Sequence, residues 1–158
     1  MSIYSGVTDG ISSALYSATK TPTYTDYARQ NIIFPCFRIF TIEPEQDNHL
    51  MNRYKRSYNF DIQYYANKNG DITDYEALNA LADDLFFILE IITIGHGVKV
   101  RGQDMSHRIT DGVLHFFVTY EFFVDRIPKD VKMETLDQDW RLKHGNNEEG
   151  TVSNDGTV

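Results

Sequence analysis

The feature that most constrains the fold is a regular alternation of residue character across residues 54–64. Even-numbered positions such as Tyr58, Phe60 and Ile62 are mostly aromatic or aliphatic, whereas the odd-numbered positions between them are polar. A period of two with one largely apolar face is typical of a β-strand that packs on one side and meets solvent on the other. At about 3.4 Å per residue such a strand spans about 35 Å, which is longer than usual. The pattern therefore predicts a strand that projects beyond a compact core.

A hairpin is predicted around the dipeptide Asp111-Gly112. This pair favours a two-residue type I′ turn, and it joins two long strand segments, Val98–Thr110 and Val113–Asp125. In the second segment one face carries the apolar residues expected in a core: Leu114, Phe116, Val118, Tyr120, Phe122 and Val124. The other face also carries apolar residues, namely Val113, Phe117 and Phe123. These residues favour a second covered surface, because an isolated monomer would leave them in water.

Two amphipathic helices are predicted from apolar residues spaced three and four apart. The first covers residues 3–18, and its glycines at positions 6 and 10 make it dependent on packing. The second begins with a capping box of Thr73 and Glu76, carries an apolar stripe as far as Ile92, and ends at Gly95.

Between the helices, residues 23–27 are predicted to form a short strand, which Pro22 places at a sheet edge. Residues 35–42 form a second strand, and residues 43–52 an exposed connection containing Pro44 and three acids. The predicted fold class is α/β in the α+β sense. It has a mainly antiparallel twisted sheet of about five strands, packed by two amphipathic helices, with a long projecting strand and a C-terminal extension.

The chain is predicted to divide into a domain of residues 1–127 and an extension of residues 128–158. Hydrophobicity falls after Pro128, and Met133, Leu136 and Trp140 have the spacing of a short docking helix. The stretch after Gly145 is typical of a flexible tail. Trp140 is expected to anchor on this domain or to insert into a neighbouring subunit.

Charge and composition exclude several functional classes. The net charge is −8 and no basic stripe is present, which argues against a nucleic-acid binder. The single cysteine, Cys36, excludes an intramolecular disulfide and a multi-cysteine metal site. The start of the chain lacks the pattern of a signal peptide, and no apolar run is long enough to span a bilayer. We therefore expect a soluble intracellular protein without membrane contact.

Catalytic and metal-binding patterns are also missing. His107 and His115 invite a metal interpretation, but the predicted hairpin register points them to opposite faces of the sheet. Cys36 lies on a predicted strand without a basic neighbour that would lower its pKa. No phosphate-binding loop, nucleophile elbow or calcium loop is present. We therefore predict a protein that is not an enzyme and has no cofactor or metal, although an enzyme with scattered site residues stays an alternative.

The remaining features favour a subunit interface. Charged residues cluster on the long strand and in the segment before it, and they fit either a solvated hairpin or charge complementarity between subunits. The predicted interface residues are Tyr24, Tyr27, Glu43, Glu45, Asp47, Arg53, Lys55, Arg56, Phe117, Phe123, Met133, Leu136 and Trp140.

Three stretches of the chain, residues 32–37, 53–62 and 109–116, together resemble the tail terminator family of tailed bacteriophages and prophage tail-like particles. The resemblance covers residues 1–127 and contains no catalytic motif. It implies a structural virion assembly protein that forms a homo-hexameric ring on the tail tube, stops tube polymerisation and provides the docking face for the head connector.

The same resemblance implies the partners and the location. The partners are copies of the chain, the tail tube protein, the sheath protein and the head–tail connector protein, with DNA only as transient cargo of the lumen. The location is the neck region of the virion, after assembly in the host bacterial cytoplasm. Two alternatives remain: a head–tail connector or tail completion subunit of another ring, and a small non-viral protein-binding module.

Overall fold

A computed structural model describes residues 2–25, 30–68 and 74–127 of the chain. Nearly all of these residues belong to one compact unit, Met1–Arg126. Its elements, in chain order, are α1 (Ile3–Thr19), β1 (Thr23–Thr25), β2 (Cys36–Leu50), β3 (Arg53–Tyr65), α2 (Tyr75–Ile88), β4 (Ile91–Ile94), β5 (Val98–Thr110) and β6 (Val113–Asp125). None of the helices in these ranges is long and apolar enough to cross a membrane.

The strands form one six-stranded sheet in the order β1-β2-β3-β6-β5-β4. All neighbouring pairs are antiparallel except β1 and β2, which run parallel. The predicted α+β class is therefore confirmed, with a sheet that is mixed and has one strand more than expected. The predicted edge position next to Pro22 is also confirmed, because β1 lies at one margin of the described sheet.

The hydrophobic core lies between one face of the sheet and the two helices. Helix α1 contributes Val7, Ile11 and Leu15, and all three are fully buried. The sheet contributes the apolar side chains of the two strands whose alternation was predicted, β3 and β6, including Phe60 and Phe116. Helix α1 contacts both margins of the sheet, β1 and β4, so the sheet curves around it.

One glycine of α1 permits this packing. A Cβ atom at Gly10 would lie 2.8 Å from the carbonyl oxygen of Thr93 in β4, closer than carbon and oxygen tolerate. The helix therefore approaches the strand to a distance that only glycine allows. Gly6 is less constrained, because a Cβ there would come no closer than 3.8 Å to the Gly95 nitrogen.

The prediction that residues 43–52 form a loop is wrong. The strand β2 continues to Leu50 and pairs with β3 almost to the turn. Pro44, which suggested a break, lies at a register shift between Thr41 and Pro44, where the ladder is interrupted. Because a bulge leaves one residue unpaired, proline is tolerated there.

The prediction for the second helix needs two corrections. Its N-cap is Asp74, whose carboxylate accepts a hydrogen bond from the Ala77 backbone N–H at 3.0 Å. The predicted capping residue Thr73 lies outside the described residues. The helix ends at Ile88, and the β-branched run that follows forms β4 instead of a last helical turn. Isoleucine and threonine favour an extended backbone, and pairing with β5 stabilises this conformation.

The β5–β6 hairpin matches the prediction in its strand bounds and its turn. Asp111 and Gly112 both have positive φ, 51° and 73°, as a type I′ turn requires. The register pairs Thr110 with Val113 and Arg108 with His115. The two faces of β6 are therefore assigned as the sequence indicated.

Candidate subunit interface

The face of the sheet opposite the core, called here the outer face, has no helix packed on it within the described ranges. Its first cross-strand row is Arg38, Gln63, His115 and Arg108, and its second is Phe40, Asp61, Phe117 and Ser106. Phe117 is half-buried and Phe123, further along β6, is 47% exposed. The prediction that these apolar side chains lie away from the core is confirmed, whereas their burial by another chain stays a prediction.

The centre of the outer face is a satisfied hydrogen-bond network around Asp61. Its carboxylate accepts hydrogen bonds from Gln63 Nε2 at 2.7 Å and lies 3.0 Å from His115 Nδ1. The Tyr65 hydroxyl donates to Gln63 Oε1 at 2.7 Å. The network holds these side chains in fixed orientations, because each polar group bonds either a side chain two positions away on β3 or one on the adjacent strand β6.

Two arginines flank this network without a carboxylate partner among the described residues. The guanidinium of Arg38 lies 5.0 Å from the ring centre of Phe40, and that of Arg108 lies 5.3 Å from the ring centre of Phe117. The Arg38 Nε–H is buried and has no hydrogen-bond acceptor in the described part of the chain. Three strand spacings separate the two arginines, which corresponds to about 14 Å.

The second part of the surface is a three-stranded arm, formed by residues 42–56 of β2 and β3 together with residues 121–125 of β6. Residues 42–50 of β2 are all exposed. The arm therefore extends beyond the helices, as predicted from the length of the alternating pattern in residues 54–64. On β3 the burial begins only at Tyr58. The Arg126 N–H donates to the Asn52 carbonyl at 2.8 Å, so β6 supports the hairpin as far as its turn.

The charged residues of the arm pair within the chain. Lys55 Nζ lies 2.8 Å from Glu121 Oε1, and this hydrogen bond raises the pKa of Lys55 above its ordinary value. Arg53 lies 4.3 Å from the ring centre of Phe123 and 3.9 Å from an Asp125 carboxylate oxygen. On this part of the surface, the charged side chains therefore pair mostly within one chain. Side chains that are already paired contribute less to the predicted charge complementarity between subunits.

The other predicted residues of this region are distributed over both faces. Arg56 Nε donates to Gln46 Oε1 at 3.0 Å on the face that continues the core side. Asp47 lies opposite Lys55, and Glu45 lies opposite Ser57, on the outer side. Glu43 is exposed beside the bulge in β2. They lie on a strand, and not in the predicted loop.

The tip of the arm is apolar. Leu50 and Met51 are 67% and 86% exposed, and Met51 has a positive φ of 48° in the turn. Exposed apolar side chains at the end of a projecting element are typical of a contact site, because a monomer gains nothing from holding them in water.

The sheet margins offer little backbone for pairing with another chain. β3 is paired on both sides along nearly its whole length, so it has no free edge for strand addition. β1 and β4 have three and four residues. β2 beyond Ile39 has an open edge within the described residues, yet it carries Pro44 and two register shifts. Proline and bulges are the devices by which edge strands avoid edge-to-edge pairing.

The remaining predicted interface residues stay untested. Tyr24 lies in β1, where its hydroxyl accepts a hydrogen bond from the Ile33 N–H at 3.2 Å. Tyr27, Met133, Leu136 and Trp140 lie outside the described residues, as does the predicted docking helix.

The described residues contain no group of three histidine, cysteine or acidic side chains placed to hold a metal ion. His107 faces α2, where it lies 3.4 Å from Asn79 Oδ1, whereas His115 contacts Asp61 on the outer face. The predicted opposite orientation of the two histidines is therefore confirmed. Cys36 is buried, and burial raises the pKa of its thiol despite the nearby Arg38 guanidinium. A protonated thiol is a poor nucleophile at neutral pH.

A groove of about 280 Å³ between α1 and β4 is lined by Gly10, Ser13, Ala14, Ser17 and residues 91–93. This lining provides hydroxyl groups without a histidine or a cysteine, and the adjoining groove shares Ser13 and adds the carboxylate of Asp9. Neither groove has a histidine that would act as the base for a serine.

The described α+β domain has one helix-covered sheet face, one open face and a projecting arm, a combination that is typical of proteins that contact other proteins. A family model described as "Phage tail terminator protein" matches residues 6–132. The chain belongs to this family, which is a family of structural proteins of phage tail assembly, located in the virion tail and associated with other tail and head proteins. The resemblance inferred from the sequence is thus confirmed.

Two further comparisons contribute no argument on function. No curated protein matches the chain. One solved structure shares 10% identity and aligns over 81% of this chain and 96% of its own, with a TM-score of 0.44, which is too low to support a structural argument.

Sequence reasoning missed the importance of Arg38 and Phe40. The sequence predicted a strand over residues 35–42 but assigned these two side chains no neighbours. The signal was present in the alternation of β2, but the register of β2 against β3 depends on the position of the connecting turn. Because residues 43–52 were predicted to be a loop, that register was not accessible.

Proposed function

We propose that the chain forms a homo-hexameric ring that caps the tail tube, stops its polymerisation and provides the docking face for the head connector. The observation that carries this proposal is the family match across residues 6–132. The two-faced domain supports it, because a ring requires surfaces that contact neighbours on both sides of each subunit. Assembly takes place in the host bacterial cytoplasm, and the tube, the connector and the sheath are the partners of the finished ring.

The arm is the element best suited to reach the adjoining tube or connector. It extends beyond the two helices, consists of three paired strands, and ends in the exposed Leu50 and Met51. A stiff element with an apolar tip loses little conformational entropy when it docks, because its strands are already ordered.

The net charge of −8 is compatible with a ring through which DNA passes. A basic lumen would retain the phosphate backbone, whereas an acidic subunit leaves the duplex free to slide. If the purified ring retained duplex DNA at physiological salt, this part of the proposal would be wrong.

The proposal is tested with particles that lack this chain. Negative-stain electron microscopy is expected to show overlong tails without heads, and a plasmid copy of the chain should restore tail length. Tails of normal length in the deletion strain would contradict the terminator function. Native mass spectrometry of the purified full chain tests the ring itself, which should appear as a species of six chains.

The role of the arm is tested by the double substitution Leu50→Ser with Met51→Ser in the same complementation assay. Because both side chains are mostly exposed, the free energy of unfolding should change by no more than about 0.5 kcal/mol for each. Loss of head joining or of length control is expected. The control is Tyr16→Ser, which removes a side chain that is 56% exposed from α1. Equal activity of the tip variant and the control would exclude the tip as a contact.

A further inference from the structure

The solvent side of α2 carries a stripe of unusual composition. Its members are spaced four, three and four residues apart and so lie on one face of the helix: Glu76, Ala80, Asp83 and Phe87. All four are exposed, and Phe87 is 80% exposed, although it is among the largest apolar side chains. Neither carboxylate has a cationic partner within the described ranges. An isolated domain gains nothing from this combination of unpaired acids and an uncovered phenylalanine.

The outer face presents the complementary combination. Arg38 and Arg108 have no carboxylate partner in the described part of the chain, and each lies against a phenylalanine ring. The two arginines are about 14 Å apart across the strands. Glu76 and Asp83 are seven residues apart, which is about 10 Å along the helix axis. The reach of an arginine side chain covers the difference.

The two surfaces lie on opposite sides of the same domain. α2 packs against the core face of the sheet, so the α2 stripe faces away from the sheet on one side and the outer face is open on the other. A contact between the α2 stripe of one copy and the outer face of the next is therefore heterologous. Head-to-tail contacts of this kind generate rings when the rotation closes.

We propose that the outer face, between Arg38 and Arg108, binds the α2 stripe of a second copy of this chain. This inference rests on the proposed ring and assigns the surfaces that join its subunits. The short or protected sheet margins favour contact through faces over strand addition. A second copy fits better than DNA, because the outer face also carries the carboxylates of Asp61 and Glu121 and is not a basic surface.

The test uses charge reversal in the full-length chain, with native mass spectrometry and sedimentation velocity as readouts. The face variant is Arg38→Glu with Arg108→Glu, and the stripe variant is Glu76→Lys with Asp83→Lys. Each variant is expected to weaken ring formation by about tenfold or more, because two interfacial charge pairs become repulsive. The combined fourfold variant should restore the ring, since the charges are then exchanged and again complementary. The control is Lys20→Glu with Lys68→Glu, which changes the net charge as the face variant does at exposed positions.

Mixing the face variant with the stripe variant gives a second and more specific outcome. The intact stripe of the face variant binds the intact face of the stripe variant, and the reversed face of the one is complementary in charge to the reversed stripe of the other. A mixed ring in which the two variants alternate is the expected species, and failure of the mixture to assemble would contradict the pairing of these two surfaces. Circular dichroism before assembly verifies that each variant is folded. If the burial of Arg38 makes the face variant unstable, the stripe variant alone still tests the proposed contact.

The outcomes separate this inference from the proposed function. If the wild-type chain forms rings and both reversal variants form them equally well, the assignment of surfaces is wrong while the ring stands. If the wild-type chain stays monomeric at all concentrations, alone and on tail tubes, the ring and the assignment fail together. If the face variant forms normal rings but changes duplex DNA retention in fluorescence anisotropy, the outer face meets DNA and the assignment is overturned.

Discussion

The two glycines of α1 are expected to respond in opposite directions to the same substitution. In a helix interior alanine is more favourable than glycine by about 1 kcal/mol, because glycine loses more backbone entropy on folding. Both Gly6 and Gly10 lie within α1, so intrinsic propensity alone predicts that Gly→Ala stabilises the protein at either position.

The contact with β4 decides the sign at Gly10. A Cβ there would lie 2.8 Å from the Thr93 carbonyl oxygen and 3.4 Å from the Ile94 Cγ2. Thr93 is paired with Lys99 in β5, so its backbone is held by the sheet. Overpacking of this kind costs about 1–3 kcal/mol, which exceeds the gain in propensity. At Gly6 the nearest atom would be 3.8 Å away, an ordinary contact, and the gain in propensity remains.

We therefore expect Gly10→Ala to lower the free energy of unfolding by up to about 2 kcal/mol. The Gly6→Ala variant should raise it by up to about 1 kcal/mol. The assay is urea denaturation followed by circular dichroism, with wild type and both variants at one protein concentration, since self-association would otherwise shift the midpoint. A Gly10→Ala protein as stable as the Gly6→Ala protein would refute the close approach of α1 to β4.

Two further predictions concern single hydrogen bonds. Replacing Asp74 with alanine removes the carboxylate that accepts from the Ala77 N–H, and should cost about 1 kcal/mol in thermal or urea unfolding, whereas Asp74→Asn should cost much less. Tyr120→Phe removes the hydroxyl that donates to the buried Leu89 carbonyl at 2.8 Å, and should cost about 1 kcal/mol at neutral pH. Burial raises the pKa of Tyr120, so the folded state holds this proton more tightly than the unfolded state, whose tyrosine pKa is about 10. The stability from Tyr120 is complete below about pH 10 and falls by about 1.4 kcal/mol per pH unit above it. The urea midpoint of wild type should therefore meet that of Tyr120→Phe near about pH 11 and lie below it at about pH 11.5, and a constant difference over this range would contradict the assignment.

The elements that the sequence predicted well are those that depend on local pattern. The alternation of β3, the apolar face of β6 and the turn at Asp111-Gly112 all follow from short-range rules, since side chains alternate in a strand and the type I′ turn requires positive φ. The sequence also indicated that Val113, Phe117 and Phe123 lie away from the core.

The elements predicted wrongly are those that depend on a distant partner. Residues 43–50 are polar, contain Pro44 and resemble a loop, yet they form a strand because β3 lies beside them and a bulge accommodates the proline. The run Ile91–Ile94 continues the apolar stripe of α2, and only its pairing with β5 makes it a strand.

The sequence by itself thus determined the strand and helix faces, the long hairpin and the absence of a recognisable catalytic motif, because these depend on residue order alone. The tertiary structure decided the order of strands, and with it which charges meet. Lys55 pairs with Glu121, and Asp61 contacts His115, although 54 or more residues separate the two partners in the chain. Arg38 and Arg108, brought onto the same row by the pairing of four strands, are left without a carboxylate partner in the described part of the domain. Such a row exists only once the register is set, because no local rule relates residue 38 to residue 108.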